Sequence, residues 1–255
     1  MPGPSAKTVP LFYEDAYLRT FNSVVAAVED DRLVLEESAF YPRGGGQPPD
    51  QGIIEFDGTT SRVAGVSRKG AAIVHKVQGQ LPAVGQEVKC LLDWDLRYRY
   101  MRLHTALHAL SAIVLDGWDA DVTGGNIADG GAKARMDFSL EGIRINDILD
   151  EVQSKLRHEL ARSLPVKTYE MAREEAVTVP GLIRTHINLL PKQIKQVRIV
   201  EIEGLDIQAD GGIHVSNTRE VGLVNVLGGS NKGRINRRIE IALDDPPTAQ
   251  SRIDS

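Results

Sequence analysis

The sequence predicts an α+β protein: a small N-terminal β-barrel domain followed by an α+β domain in which an antiparallel sheet is packed with helices. Three observations lead there. From residue 16 to about residue 92, apolar residues alternate with polar ones or form short runs, as in SVVAAVEDDRLVLEES, GIIEFDG, AAIVHKVQG and EVKCLLDW. Gly, Asp and Pro interrupt these runs every 8 to 12 residues, the rhythm of a small antiparallel barrel. Near Asp93 the period lengthens, and beyond it helical and strand-like segments follow one another.

The first helix is carried by DLRYRYMRLHTALHALSAIVLDG, with Leu103, Leu107, Leu110 and Val114 at helical spacing and a stop at Gly117. Two strands come next, DVTGGNIA and KARMDFS. The segment INDILDEVQSKLRHELARSL places Ile145, Ile148, Leu149, Val152, Leu156 and Leu160 on one helical face, with Asn146 as N-cap and Pro165 as stop. Further strands are expected at 166–171, 196–203, 213–227 and 235–243, giving one sheet against about two helices. The resulting domains are 1–93 and 94–245, with a polar, frayed tail over 246–255.

With 255 residues, 42% hydrophobic and 25% charged, the chain has apolar material for one large core or two smaller ones. The single cysteine, Cys90, excludes an intrachain disulfide and, with no motif around it, reads as a small apolar residue in a reducing compartment. The opening MPGPSAKTVPLFYED lacks a charged head followed by an apolar stretch, and no run of 18 apolar residues occurs, so a soluble, cytoplasmic protein is expected. A net charge of -5 argues against a protein that coats nucleic acid indiscriminately, while local basic clusters remain able to bind it.

Chemistry concentrates in two segments. In RLHTALHAL, His104 and His108 lie four apart inside the expected helix, so both imidazoles project from one face and are able to share a metal ion. Chance placement of two histidines is the competing reading of that pair. In LDIQADGGIHVSN, His214 is the natural third ligand, and Gly211-Gly212 lets the backbone bend so that Asp210 converges on the same point. The alternative for Asp210 is a side chain that only caps the Gly-Gly turn.

Five segments, FYPRGGGQPPDQG (40–52), RYMRLHTALHAL (99–110), VTGGNI (122–127), QADGGIHVSNTREVG (208–222) and NKGRINRR (231–238), in this order and spacing, resemble the AlaX family of alanyl-tRNA editing proteins. These are free-standing relatives of the editing domain of alanyl-tRNA synthetase. The likeness runs from about residue 12 to residue 243. It implies hydrolysis in trans of the ester joining a wrong amino acid, serine or glycine, to tRNA for alanine. It also implies a longer family form, with a glycine-rich β-barrel ahead of an α+β editing domain, and one zinc ion. The family's two helix histidines and its Cys-x-x-x-His pair map onto His104, His108, position 210 and His214.

The chain departs from that pattern where the family commonly reads Cys-Gly-Gly-Thr-His: here the residues are Asp210, Gly211, Gly212, Ile213 and His214. An ionised aspartate keeps the charge of a thiolate and binds zinc at a similar distance. It is a harder ligand, so other divalent metals compete better than at a thiolate site.

For other roles the residues leave paired readings open. Thr105 either lines the pocket, as the resemblance implies, or bonds a backbone carbonyl of its own helix. Gln208 either orients substrate or water, or is an exposed strand residue. Gly44, Gly45 and Gly46 form either a close-approach loop or, preferred here, a tight structural junction. Candidate tRNA contacts are Arg97, Arg99 and Arg102, interleaved with Tyr98 and Tyr100 able to stack on a base, and Lys232, Arg234, Arg237 and Arg238. A solvated charged face is the other explanation of such runs. The functional expectation is a zinc-dependent deacylase of mischarged tRNA. A non-catalytic aminoacyl-tRNA or RNA-binding module with a degenerate site is the alternative, and a metallohydrolase that has drifted to another ester or amide is a third.

Overall fold

The alternating segments of the N-terminal part close into a six-stranded barrel in the computed structural model, which describes residues 7–179, 181–182 and 195–245. The tail expected over 246–255 lies outside the described residues. In chain order the strands are β1 (Val9–Pro10), β2 (Thr20–Glu29), β3 (Arg32–Leu35), β4 (Glu37–Ser38), β5 (Gly52–Phe56), β6 (Thr59–Lys69), β7 (Ala72–Gln78) and β8 (Glu87–Leu92). Around the barrel the order is β2, β3, β7, β6, β5, β8, with every neighbouring pair antiparallel, while β1 pairs with β4 in parallel. Closure leaves the barrel no free edge for another strand to join.

Alternation turns one residue in two inward, and Val25, Leu33, Ile54, Val63, Val77 and Cys90 fill the interior. Burial pushes the Cys90 thiol up to about 12, so it packs as an apolar group rather than reacting as a thiolate.

Among the buried polar groups of this unit, His75 and Arg97 are each held by several partners. The His75 ring donates from Nδ1 to the Leu33 carbonyl (3.3 Å) and accepts at Nε2 from the Ser38 hydroxyl (2.8 Å). The same hydroxyl accepts from the Phe40 N–H at 3.2 Å. Arg97 has no exposed surface: its Nε meets both oxygens of Asp50 (3.0 and 2.9 Å), Nη1 donates to the Ala16 carbonyl (2.9 Å), and Nη2 donates to the Ala39 carbonyl and to Asp50. Asp50 closes the glycine-rich segment by accepting the Tyr41 N–H at 2.6 Å. At the tip, Gly44 and Gln47 exchange backbone hydrogen bonds across Gly45 and Gly46, whose φ values of 56° and 78° suit a two-residue hairpin turn that glycine adopts without strain.

The long helix α1 spans Trp94–Trp118 and is opened by Asp93, whose carboxylate accepts the Leu96 N–H at 3.2 Å. Its end comes after the expected stop at Gly117: Trp118 is the last helical residue, and Asp119, with φ 49°, takes the left-handed position. From Leu103 to Val114 the helix is buried on every side, as a central core helix is. The chain divides into two compact units, Met1–Arg99 and Tyr100–Ser255. No helix among the described residues is long and apolar enough to cross a membrane.

In the second unit follow β9 (Val122–Ile127), β10 (Ala134–Ser139), α2 (Leu149–Ala161), β11 (Val166–Ala172), α3 (Arg173–Ala176), β12 (Gln196–Ile202), β13 (Asp206–Ala209), β14 (Val224–Asn231) and β15 (Asn236–Leu243). They form two antiparallel sheets instead of the single expected one, ordered β14-β15-β10-β9 and β11-β12-β13. The α2 residue Gln153 covers the edge of β14, donating to the Val224 carbonyl (2.9 Å) and accepting the Val226 N–H (2.6 Å).

Two local expectations fail. The segment 213–227 is not one strand, although Ile213, Val215, Val221 and Val224 are buried as strand residues would be. Asn217 and Glu220 form a capping box that starts a 3₁₀ turn at Thr218–Val221, and extended pairing resumes only at Val224. Asn146 does not cap α2: it sits in a 3₁₀ turn over Ile145–Asp147, and Ile148 precedes the helix without a side-chain cap. Helix α2 also stops before Pro165, at Ala161, with Ser163 at φ 58°.

Two outcomes follow for stability. Asp50→Ala leaves Arg97 buried without its carboxylate and is expected to cost about 3–5 kcal/mol. A denaturant midpoint within error of the parent would refute this. Burial holds His75 down to about 4, from an ordinary 6.5, against the opposing pull of its bond to Leu33. Below pH 6.5 the unfolded chain therefore takes up a proton that the native ring refuses, and stability falls as pH drops toward 4, by on the order of 3 kcal/mol from this group. In unfolding titrations His75→Gln should lose one proton's share of that slope, and an unchanged slope would count against the assignment.

Candidate metal centre

Three imidazoles and one carboxylate converge in the second unit. His104 and His108 face the same way from α1, with ring centroids 5.5 Å apart, and His214 stands 4.5 Å and 4.6 Å from them. Oδ2 of Asp210 lies 3.1 Å from His214 Nε2, 3.7 Å from His104 Nε2 and 4.0 Å from His108 Nε2. One ligand atom from each residue falls within 4.8 Å of all the others. Four ligands at about 2.0–2.2 Å around a tetrahedral ion stand about 3.3–3.6 Å apart, so the observed spacings bracket that range.

The local sequence explains the convergence. Alternation along β13 sends Ile207 and Ala209 into an apolar cluster with Val197, Ile199, Ala176 and Leu182. Asp206 and Gln208 take the opposite face. Asp210 extends the ladder by one more bond, its N–H donating to the Arg198 carbonyl at 3.1 Å. The chain then turns. Asp210 Oδ2 accepts the Gly212 N–H at 2.7 Å, and Arg198 Nη1 donates to the Gly212 carbonyl at 2.6 Å, pinning the bend from β12. A Cβ on Gly212 would fall 2.0 Å from His104 Cε1 and 2.3 Å from its Nδ1, so only glycine lets the turn pass the ring. The two readings of Asp210 therefore coexist: the oxygen that caps the turn is also the one that faces the histidines.

A second layer holds the rings. His108 Nδ1 lies 3.1 Å from Oδ2 of Asp206, which also accepts the Gln208 amide at 2.8 Å. His214 Nδ1 lies 3.1 Å from the Thr105 hydroxyl, which donates to the Met101 carbonyl at 3.0 Å and accepts the Val215 N–H at 3.3 Å. Thr105 thus makes the helical backbone bond and meets the cluster through His214, and Gln208 meets it through Asp206. Asp206 and Arg198 were not singled out from sequence. The signal for Asp206 was present, because residues 206, 208 and 210 share one face of a strand.

Electrostatics favour a cation. Burial lowers His104 to about 4, with His108 and Arg198 adding to the effect and Asp210 opposing it. Burial and the other two histidines hold His214 well below the imidazole range. Burial alone would raise the Asp210 carboxyl, but His104, the hydrogen bond from His214, and His108 outweigh it and keep the group ionised. Neutral imidazoles around a buried carboxylate present inward lone pairs that repel one another unless a proton or a cation lies between them. The residues present therefore fit a divalent metal.

The basic residues are dispersed. Arg97 and Arg99 are buried, and the Asp50 pair already occupies Arg97, so the expected phosphate contact at Arg97 is corrected to a structural ion pair. Arg102 bonds the Val221 carbonyl through Nε and Nη2 and Asp245 through both terminal nitrogens. Arg237 is turned inward onto the carbonyls of Ile143, Gly233 and Asn236, and Arg238 forks onto Asp137. Tyr98 stacks on Trp94 at 5.6 Å, and the Tyr100 hydroxyl, on a buried side chain, accepts the Gly130 N–H at 3.0 Å. Of the seven cationic candidates, Lys232 and Arg234 are exposed, in the β14–β15 turn.

Comparison with known proteins identifies relatives over most of the chain. Residues 197–240 match the threonyl and alanyl tRNA synthetase second additional domain, and residues 6–96 match the class II (A) tRNA synthetases. The alanyl-tRNA editing protein AlaX-M of Methanosarcina barkeri is 37% identical over 93% of this chain and 100% of its own length. AlaX-M of Saccharolobus solfataricus is 37% identical over 91% and 97%. The alanine–tRNA ligase of Pyrobaculum neutrophilum is 34% identical over 86% of this chain, which corresponds to 25% of the ligase.

Gly212→Ala should displace the His104 ring and lower divalent-metal affinity at least about 10-fold, an effect of the size seen when a ligand's support is lost. Competition with a chromophoric chelator measures it, and parent-like affinity would show that the turn has slack.

Proposed function

The chain belongs to the AlaX-M family of alanyl-tRNA editing proteins, and from that premise we propose that it hydrolyses in trans the ester joining a wrong amino acid, serine or glycine, to tRNA for alanine. The observation that carries the proposal is the four-donor cluster of His104, His108, Asp210 and His214, complete despite the exchange at position 210. An intact donor set weighs against a degenerate binding module.

A divalent cation held there, zinc by preference, supplies Lewis acidity at an ester carbonyl. The protein's own share is orientation and exclusion of water. The three imidazole side chains are 1–6% exposed, while Asp210 is 14% exposed, so a substrate reaches the cluster along the Asp210 edge. The Gly212 N–H bonds the same Asp210 oxygen that faces the histidines and so helps to hold it at the cluster. Contact with tRNA is assigned to the exposed Lys232 and Arg234, each contributing a phosphate charge rather than sequence readout.

Deacylation of Ser-tRNA for alanine should require stoichiometric metal and stop with chelator. His108→Ala should lose at least about 100-fold of the rate, more than loss of a supporting group costs. Tight tRNA binding without turnover by metal-loaded protein would overturn the proposal in favour of a binding module. Equal metal content and activity in Asp210→Ala would remove Asp210 from the ligand set. Lys232→Gln with Arg234→Gln should weaken tRNA binding and flatten its dependence on salt by up to about two phosphate contacts. An unchanged salt slope would exclude that turn from the interface.

A further inference from the structure

We infer that Asp206 is a positioning residue, which holds His108 in the one tautomer that leaves its Nε2 lone pair facing the other three donors. The inference rests on the metal-holding reading of the cluster.

A neutral imidazole carries a single ring proton, on Nδ1 or on Nε2, and only the bare nitrogen can bind a metal. Two aspartates compete for that proton on His108. Oδ2 of Asp206 stands 3.1 Å from Nδ1, within hydrogen-bond range, whereas Oδ2 of Asp210 stands 4.0 Å from Nε2, beyond it. The nearer carboxylate wins, and the proton sits on the side away from the cluster.

Asp206 is built for this task. Its side chain has no exposed surface, so its bond to the ring is made where water does not compete. The oxygen that receives the His108 proton also receives the Gln208 amide at 2.8 Å, which fixes the carboxylate's rotation and marks that atom as an acceptor. Gln208 and Asp206 share a face of β13, two residues apart, so the strand period alone delivers the pair.

His214 makes a contrast. Its Nδ1 neighbour is the Thr105 hydroxyl, which is able to accept from the ring while donating to Met101, or to turn and donate to the ring. A hydroxyl tolerates either tautomer, and a carboxylate tolerates one. Of these two rings, His108 is the one whose inward lone pair is enforced rather than permitted. A purely structural Asp206, present only to satisfy buried polar groups, would affect stability and leave the ring's tautomer alone.

The test uses the full chain, stripped of metal, with ¹⁵N-labelled imidazoles. In the parent the His108 nitrogen shifts should report a proton on Nδ1. In Asp206→Ala the proton should move to Nε2, toward Asp210, and zinc affinity measured against a chromophoric chelator should fall about 10–100-fold. Asp206→Asn keeps an acceptor oxygen and should restore the Nδ1–H form. Gln208→Ala, at a half-buried position, keeps the test decisive if Asp206→Ala folds poorly: the Nε2–H population should rise and zinc affinity should drop. Parent-like shifts and affinity in both alanine variants, with only a lower melting temperature, would overturn the inference. If the parent itself takes up no zinc, the metal reading falls, and the shifts in the metal-free protein still decide what Asp206 does.

Discussion

Four lone-pair donors held within 4.8 Å of one another are an unfavourable arrangement, and much of the second unit is intelligible as the apparatus that enforces it. Left to itself a buried carboxylate would take up a proton or draw in water, and three imidazoles would turn their N–H groups toward it. Specific neighbours oppose some of these escapes. Asp206 and Thr105 engage the outer nitrogens of His108 and His214, Gly212 donates to the Asp210 oxygen, and Arg198 ties down the turn that carries it. The helix that supplies two of the rings is buried on all sides along that stretch, so neither ring can swing out without opening the core.

The barrel unit solves a different problem with related means. Its buried charge, Arg97, is balanced by Asp50 and by two backbone carbonyls, so the pair brings little net field and serves to fix geometry. Asp50 is the one acidic residue of the RGGGQPPD segment, and its other bond, to the Tyr41 N–H, draws the two ends of that hairpin together. The glycines make the tip, and the aspartate makes the anchor. A run of arginines at a helix start looks like a phosphate-binding face in the sequence because charge patterning carries no information about which members are buried.

What the sequence made legible follows from period and spacing. The two-residue period gave the barrel, the change near Asp93 gave the helix, and the four-residue interval gave His104 and His108. His214 and Asp210 came from a Gly-Gly bend, and in the structure glycine is needed at 212 because a Cβ there would strike the His104 ring. The errors have physical causes too. Residues 213–227 carry strand-like apolar positions because a buried loop needs them as much as a strand does, and only the Asn217–Glu220 capping box betrays the interruption. Asn146 has the right chemistry for a cap but lies in a 3₁₀ turn, two residues before the Ile148 N-cap position. Asp206 was passed over because one acid in a strand reads as a surface residue until a partner 98 positions away is known.

The exchange at position 210 takes its meaning from this surrounding layer. A thiolate is a soft ligand that a zinc site can rely on by itself, whereas a carboxylate is harder, discriminates less among divalent metals, and has a second oxygen and stronger hydrogen bonding to distract it. A site that uses one must fix its rotation by other means. Here the Gly212 N–H, 2.7 Å from Oδ2, selects which oxygen faces the histidines, and the turn that brings this N–H into place is the one that also brings His214. The same bond holds that oxygen in place at the cluster, and Asp210 is the most exposed of the four groups. If the cluster holds a metal as proposed, Asp210 would be the donor nearest to solvent and so to an incoming ester. On the proposed metal-holding reading, the aspartate keeps position 210 within the donor set.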